Sequence, residues 1–402
     1  MSSPVFASLQ SKLRLTFVFL LISATLGVSL RLMQSGTLGG NFKYILHTHS
    51  HIVLLGWLYN SIVIIIQYFI FKKQEGPLNW VFWLSQITYF GMMFSFPFQG
   101  YAFASILFST LYLFSSYALV YYLFKYAQKL ENQNVVKLIK WSGVYLVLSS
   151  FGPFSLGFIM AKGLQDTFWF KLSVYWFIHF LYNGFFTLIV FALLLNKSNS
   201  FPAQKWGSQL MIWSIIPIYG LSVLWLEPHS TLYIITFIGT LFQLFAFVLI
   251  GKHIQVKQLF HSKWARCILK IAIAAYGLKV IFQISSVLPA VQVFLQSTTP
   301  YSVIGFIHLV MLGFFTLFVL AIFLERKWVL VSLYFKVGVT LLIIGVILSE
   351  AMLFSQGILL FFFNSSLPNF FFYLALVSFL MPVGICLITI GLFTQKKKVS
   401  NN

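Results

Sequence analysis

Long apolar runs dominate this chain, following one another along its length with short polar connections between them. Of its 402 residues, 60% are hydrophobic and 8% are charged, whereas a soluble domain carries roughly 25% charged residues. A helix of about 20 apolar residues, rising ~1.5 Å per residue, crosses a ~30 Å hydrocarbon layer. The sequence therefore predicts an all-α polytopic membrane protein, embedded in a lipid bilayer as a single integral domain over residues 1–402.

The apolar runs divide into twelve predicted transmembrane helices, and no segment between them is long enough for a soluble domain. Lys12 and Arg14 precede the first run, but no small-residue cleavage site follows it, so we interpret this run as a first helix rather than a removed signal. The predicted spans are 13–33, 47–71, 79–98, 101–125, 138–161, 168–195, 207–226, 231–250, 265–288, 301–324, 330–353 and 370–394.

The positive charges are distributed unevenly between the two sides of this predicted topology. With the N-terminus inside, 21 of the 26 Lys and Arg residues fall on the cytoplasmic side and only four on the outer side. This asymmetry follows the positive-inside rule and predicts an inner (cytoplasmic) membrane location with both termini in the cytoplasm. Because the basic residues are scattered between apolar runs, the net charge of +20 reflects topology and does not indicate nucleic-acid binding.

A short motif recurs three times: a histidine, four residues, a glycine and an aromatic residue. It begins at His51, His179 and His308, so successive copies are 128 and 129 positions apart. The three copies fall in predicted spans two, six and ten. An even interval of this kind indicates an internal repeat, and we predict three pseudo-repeated four-helix arcs. The pseudo-repeats are expected at about 1–130, 131–262 and 263–402. The glycine of each motif would let another helix or a flat ligand approach closely.

The repeated histidines are candidates for cofactor binding. Neutral imidazole is the commonest metal ligand, and an ionisable group at membrane depth suggests function. Alternatively, each histidine hydrogen-bonds a neighbouring helix. Near the first motif, His47 and His51 are four residues apart and share a helix face, whereas His49 points the opposite way. That pair could bind one metal, or one could bind heme while the other gates access; for His49 an interfacial polar cap is the simpler interpretation.

Other polar residues near or within the spans are also candidates. His229 stands beside a glutamate at the outer end of span seven, where it could bind metal or be an ordinary loop residue. Lys279 lies midway through span nine and Glu350 near the outer end of span eleven. Inserting either charged side chain into lipid costs ~2.5–3.5 kcal/mol, so both should face the protein interior. There they could form an ion pair; alternatively, Lys279 could contact a heme propionate and Glu350 could relay protons. His253 and His261 are expected to be solvated loop residues.

With histidines on helices two, six and ten of twelve, the chain resembles subunit I of the heme–copper oxidases and is similar to NnrS-type heme–copper membrane proteins. The resemblance implies that His47 or His51 is an axial heme ligand on helix two. It also implies a heme ligand at His308 on helix ten and copper ligands at His179 and His229.

The chain departs from that family at two positions. Phe306 stands where the family has the first histidine of a His-x-His pair, and Tyr182 follows His179 by three residues, where the family has four. We therefore expect either heme alone or heme with copper, and no full oxygen-reducing site. The predicted role is electron transfer or the handling of a diatomic gas or copper, with a redox partner or further subunit. The alternatives are a non-catalytic heme or copper carrier or sensor, and a proton-coupled transporter.

Overall fold

The computed structural model describes residues 4–70, 77–196 and 202–395, and within these ranges the chain is helical with no strand. Twelve long helical segments follow the order of the predicted spans, and two short helices, Val256–Leu259 and Pro289–Ser297, lie in the connections. The long segments are α1 Pro4–Gln34, α2 Phe42–Ile70, α3 Leu78–Gln99, α4 Phe103–Ala127, α5 Gln133–Ala161, α6 Phe168–Leu195, α7 Pro202–Leu226, α8 Ser230–Gly251, α9 Lys263–Ser285, α10 Tyr301–Glu325, α11 Leu333–Phe363 and α12 Phe370–Thr394.

Eleven helices among the described residues are long and apolar enough to cross a membrane. The chain is thus a polytopic helical protein suited to a lipid bilayer. The remaining long helix, α3, has 22 residues and carries no charge, but its polar residues, including Asn79, Gln86 and Gln99, reduce its mean hydropathy. A membrane crossing by α3, and with it the count of twelve, stays a prediction.

Several helix ends differ from the predicted bounds, among them the start of α2 and the end of α11, where local capping sets the end. Helix α2 begins five residues before predicted position 47, since the Asn41 side chain accepts a hydrogen bond from the Tyr44 backbone N–H. Helix α11 continues to Phe363 because the sequence stays apolar until Asn364, whose left-handed conformation ends the helix. Glu350 consequently lies in the middle of α11, and the expectation that it lies near the helix end is wrong.

The chain divides into two compact units, each formed by more than one stretch of sequence. The first unit contains the histidines of α2 and α10, and in it α1 packs against α2 and α12. The second unit contains His179 and His229, and in it α7 packs against α8. The first unit comprises Met1–Ser115, Phe260–Ala275 and Thr298–Asn402, and the second comprises Ser116–Leu259 and Tyr276–Ser297.

All three repeated motifs share a local departure from the α-helix. In each, the α-helical hydrogen bonding ends at the motif histidine, and the next seven or eight residues form a π-helix before the α-helix resumes. The π-helical segments are Ile52–Tyr59 in α2, Phe180–Phe186 in α6 and Leu309–Thr316 in α10, and the described chain has no others. Because every copy contains a π-helix, the motif is a structural unit as well as a sequence pattern. π-Helices are rare and frequently occur at functional sites, which makes these three places candidates for function. The four-helix arcs themselves stay a prediction.

A threonine completes the π-helix in the second and third motifs. The hydroxyl groups of Thr187 and Thr316 donate to the carbonyl oxygens five residues earlier, at 2.7 and 2.8 Å. In the first unit, the indole N–H of Trp57 also donates to the Thr316 hydroxyl at 2.9 Å. This bond ties the π-helix of α2 to that of α10.

The motif glycines allow close contact with neighbouring helices. A Cβ added at Gly56 would lie 3.0 Å from Cγ of Phe19 in α1, and one added at Gly184 would lie 2.8 Å from Cγ of Tyr145 in α5. At Gly313 the nearest group is an alanine methyl of α9, at 3.3 Å. The sequence predicted that these glycines let either another helix or a flat ligand approach closely. The structure shows the first of these, the approach of side chains from neighbouring helices.

Candidate functional site

The three histidines at the start of α2 point toward different neighbours, as their spacing predicts. His49 faces α1, where its Nδ1 lies 2.7 Å from the backbone oxygen of Ser23. A carbonyl oxygen can only accept, so Nδ1 carries the proton and Nε2 keeps a lone pair. Gly27 makes room for this ring, since a Cβ there would lie 3.1 Å from its Cε1.

His47 and His51 face the connection between α3 and α4. Nδ1 of His51 donates to the backbone oxygen of His47 at 2.8 Å, and Nε2 of His51 lies 3.4 Å from the hydroxyl of Tyr101. Burial raises the pKa of Tyr101, which keeps its hydroxyl a neutral donor. Phe96 packs on the His51 ring with centroids 4.5 Å apart. Both nitrogens of His51 therefore have protein partners.

His308 of α10 faces Glu350 of α11. Its Nδ1 lies 3.9 Å from Oε1 of Glu350, and the two side chains are 24% and 11% exposed. Within the described part of the chain, His308 Nδ1 and both carboxylate oxygens of Glu350 are buried and have no hydrogen-bond partner. Because Nδ1 is buried, the exposed 24% of the His308 side chain belongs to its other atoms, among which is Nε2.

Arg31 of α1 adds a positive charge beside these groups. It is buried and donates to the backbone oxygen of Leu374 in α12 at 3.4 Å. Its guanidinium interacts electrostatically with His49, His308 and Glu350, and His49 interacts in the same way with His308. We call these four residues the histidine cluster. Arg31 is one of the four basic residues that the predicted topology places on the outer side of the membrane, and its position at the end of an apolar run was the sequence signal for it.

His179, in the second unit, is enclosed by the protein. Its Nε2 donates to the backbone oxygen of Ile215 at 2.8 Å, and its Nδ1 accepts from the Asn183 amide at 3.2 Å. Tyr182 lies beside it, with ring centroids 6.3 Å apart. This arrangement leaves no nitrogen lone pair of His179 free, and it matches the alternative of a histidine that hydrogen-bonds a neighbouring helix.

The other candidates of the second unit also have ordinary protein partners. His229 is exposed and caps α8, with Nδ1 accepting from the Thr231 backbone N–H at 3.3 Å. Lys279 is buried in α9, where its ammonium donates to the Gln243 side chain at 2.8 Å and lies 4.9 Å from the Tyr276 ring centroid. The described ranges hold no group of three or more His, Cys, Asp or Glu residues that could bind a metal ion. A copper site at His179 and His229 stays a prediction without such a group.

His261 differs from the expected solvated loop residue. Its side chain is 77% exposed, as predicted, but its Nδ1 lies 2.9 Å from Oε1 of Glu325. Oε2 of Glu325 accepts from the backbone N–H groups of His261 and Ser262, at 2.9 and 3.1 Å. Glu325, at the end of α10, thus caps the start of α9.

Comparison of the chain with protein-family models and with curated proteins finds no match. The residues of the histidine cluster therefore carry the functional interpretation by themselves. A heme with two axial imidazoles needs two nitrogens with free lone pairs. His49 and His308 fit this requirement: Nε2 of His49 has no hydrogen bond within the described ranges, and His308 turns its buried Nδ1 toward Glu350. His51 and His179 do not fit it, because both of their nitrogens are engaged.

Proposed function

We propose that this multi-pass membrane protein binds one heme, which Nε2 of His49 and Nε2 of His308 would hold. The observation that carries the proposal is the orientation of the two imidazoles: Nδ1 of His49 is bonded to Ser23 and Nδ1 of His308 faces Glu350, so the Nε2 atom of each is the nitrogen available to a metal. Ligands from helices two and ten are also what the resemblance to oxidase subunit I implies. The proposal moves the helix-two ligand from His47 or His51 to His49, whose Nδ1 is already held by Ser23.

The remaining members of the histidine cluster have roles that follow from their charge. Arg31 is the cation available to a heme propionate, since its guanidinium presents several donors to a carboxylate. Lys279, which the sequence suggested for this role, donates to Gln243 instead. Hydrogen bonding of His49 to Ser23 and the space left by Gly27 hold that imidazole in one orientation.

The proposed ligands favour electron transfer. When bound, heme would supply a reversible one-electron change, and His49 and His308 would hold it. His179 has no free nitrogen, so we do not include copper or oxygen reduction in the proposal. An electron-transfer role requires a redox partner or a further subunit. We further propose that the protein lies in the inner membrane with both termini in the cytoplasm, on the support of its lysine and arginine distribution.

Purified protein from heme-replete cells tests this proposal. We expect a Soret band, about one heme per chain by the pyridine hemochromogen assay and one iron by metal analysis. His308→Ala should lose the band, because it removes a ligand. His229→Ala is the matched control and should retain it, since His229 only caps α8. Folded wild-type protein without heme would contradict the proposal.

A further inference from the structure

Three buried polar atoms of α10 and α11 have no hydrogen-bond partner in the part of the chain that the structure describes. They are Nδ1 of His308 and the two carboxylate oxygens of Glu350. Buried polar groups in folded proteins are nearly always hydrogen-bonded, so each exception calls for an explanation. The approach of Nδ1 to Oε1, at 3.9 Å, is about 1 Å longer than a hydrogen bond between these atoms.

The surroundings favour closure of this gap. Gly305, three residues before His308, leaves space for the carboxylate, because a Cβ there would lie only 3.0 Å from Oε2 of Glu350. Arg31 interacts electrostatically with Glu350 and provides a compensating charge, and His49 is a further titratable group that interacts with His308. A small side-chain movement would satisfy His308 and Glu350 together, and such contacts commonly shorten when a site is loaded.

We infer that Glu350 is a positioning residue for His308. Its carboxylate accepts the Nδ1–H of His308 and thereby directs Nε2 of that imidazole toward the group that it binds. The electronic consequence of this pairing rests on the proposed heme. A histidine that ligates a metal usually donates its other N–H to a carboxylate or carbonyl, which fixes the tautomer and raises the basicity of the ligand. His49 follows the same rule through Ser23, so each proposed ligand has its own acceptor: a neutral carbonyl for His49 and a carboxylate for His308.

Because its acceptor is a carboxylate, His308 should donate more electron density to a bound iron than His49, whose acceptor is a neutral carbonyl. This favours the oxidised iron, so replacing Glu350 by the neutral Gln should favour the reduced iron. We expect Glu350→Gln to keep the heme and to shift the oxidised-to-reduced ratio about tenfold toward reduced at a fixed ambient potential. For a one-electron couple this is an increase of about 59 mV in the midpoint potential. Optical redox titration measures it directly.

Glu325→Gln is the matched control for this titration. It makes the same chemical change at another glutamate of the first unit, whose carboxylate pairs with His261 instead. Its midpoint potential should equal that of the wild type. A second variant, Gly305→Ala, leaves the charge in place but displaces the carboxylate, and it should raise the potential in the same direction. If heme-loaded Glu350→Gln and Gly305→Ala both have the wild-type potential, the inference is wrong.

A double-mutant cycle tests the pairing without heme. In protein purified from heme-depleted cells, we compare the thermal midpoints of Glu350→Gln, His308→Gln and the double variant. If the two side chains interact, the double variant should lose less than the sum of the single losses. Additive losses would overturn the pairing. Coupling in a protein that never takes up heme would leave the pairing standing and refute the proposed function instead.

Discussion

At the scale of single residues, sequence spacing predicted directions but not partners. The positions of His47, His49 and His51 place His49 on the opposite helix face from the other two, and the structure shows this separation. The identity of the acceptors was out of reach, because Ser23 and Glu350 lie on other helices, at positions set by tertiary packing. The same limit applies to one partner of His179, since Ile215 lies on another helix. The other partner, Asn183, lies four residues after His179 on the same helix, and this spacing is a signal that the sequence does contain.

The motif glycines give a prediction at this scale. Gly184→Ala should destabilise the protein by about 1–3 kcal/mol, because the added methyl group overpacks against Tyr145. Gly157→Ala is the matched control, since a Cβ at that position meets nothing within 4 Å. We expect the control to be neutral or stabilising by up to about 1 kcal/mol, as alanine favours a helix over glycine. Thermal midpoints in one detergent measure both; equal midpoints for the two variants would refute the packing role of Gly184.

At the scale of helices, the order of the long segments was predictable and their internal geometry was not. Apolar length sets where a helix can lie, and all twelve long segments overlap the predicted spans. Capping by Asn41 and Asn364 moved two ends, because caps depend on single side chains and backbone conformations. The π-helices had no predictive signal, since a sequence such as Ile52–Tyr59 is equally compatible with an α-helix; a recurring motif was the only indication that these three places are alike.

The link between two π-helices gives a prediction at this scale. Thr316→Val removes the acceptor of the fully buried Trp57 indole N–H. An unsatisfied buried donor costs about 1–3 kcal/mol, so the thermal midpoint should fall. Thr187→Val is the matched control, because Thr187 occupies the same motif position and loses only its bond to Tyr182. A loss in the control equal to that of Thr316→Val would show that the Trp57 bond adds nothing.

At the scale of the whole chain, composition alone established the class of protein. The apolar runs predict a polytopic membrane protein, and eleven helices of the described residues meet that requirement. Composition could not indicate which distant segments meet. The histidine cluster draws its residues from α1, α2, α10 and α11 of the first unit, and Arg31 and Glu350 are 319 positions apart along the chain. Only the repeated histidines suggested that such segments belong together.

The central claim is that His49 and His308 are the axial ligands of one heme, and a ligand exchange tests it most directly. Methionine in place of one axial histidine raises the midpoint potential of a heme. Optical redox titration of His49→Met should therefore give a higher potential and an altered reduced spectrum, whereas His51→Met should match the wild type because His51 is held by His47 and Tyr101. A shift in His51→Met with an unchanged His49→Met would contradict the claim.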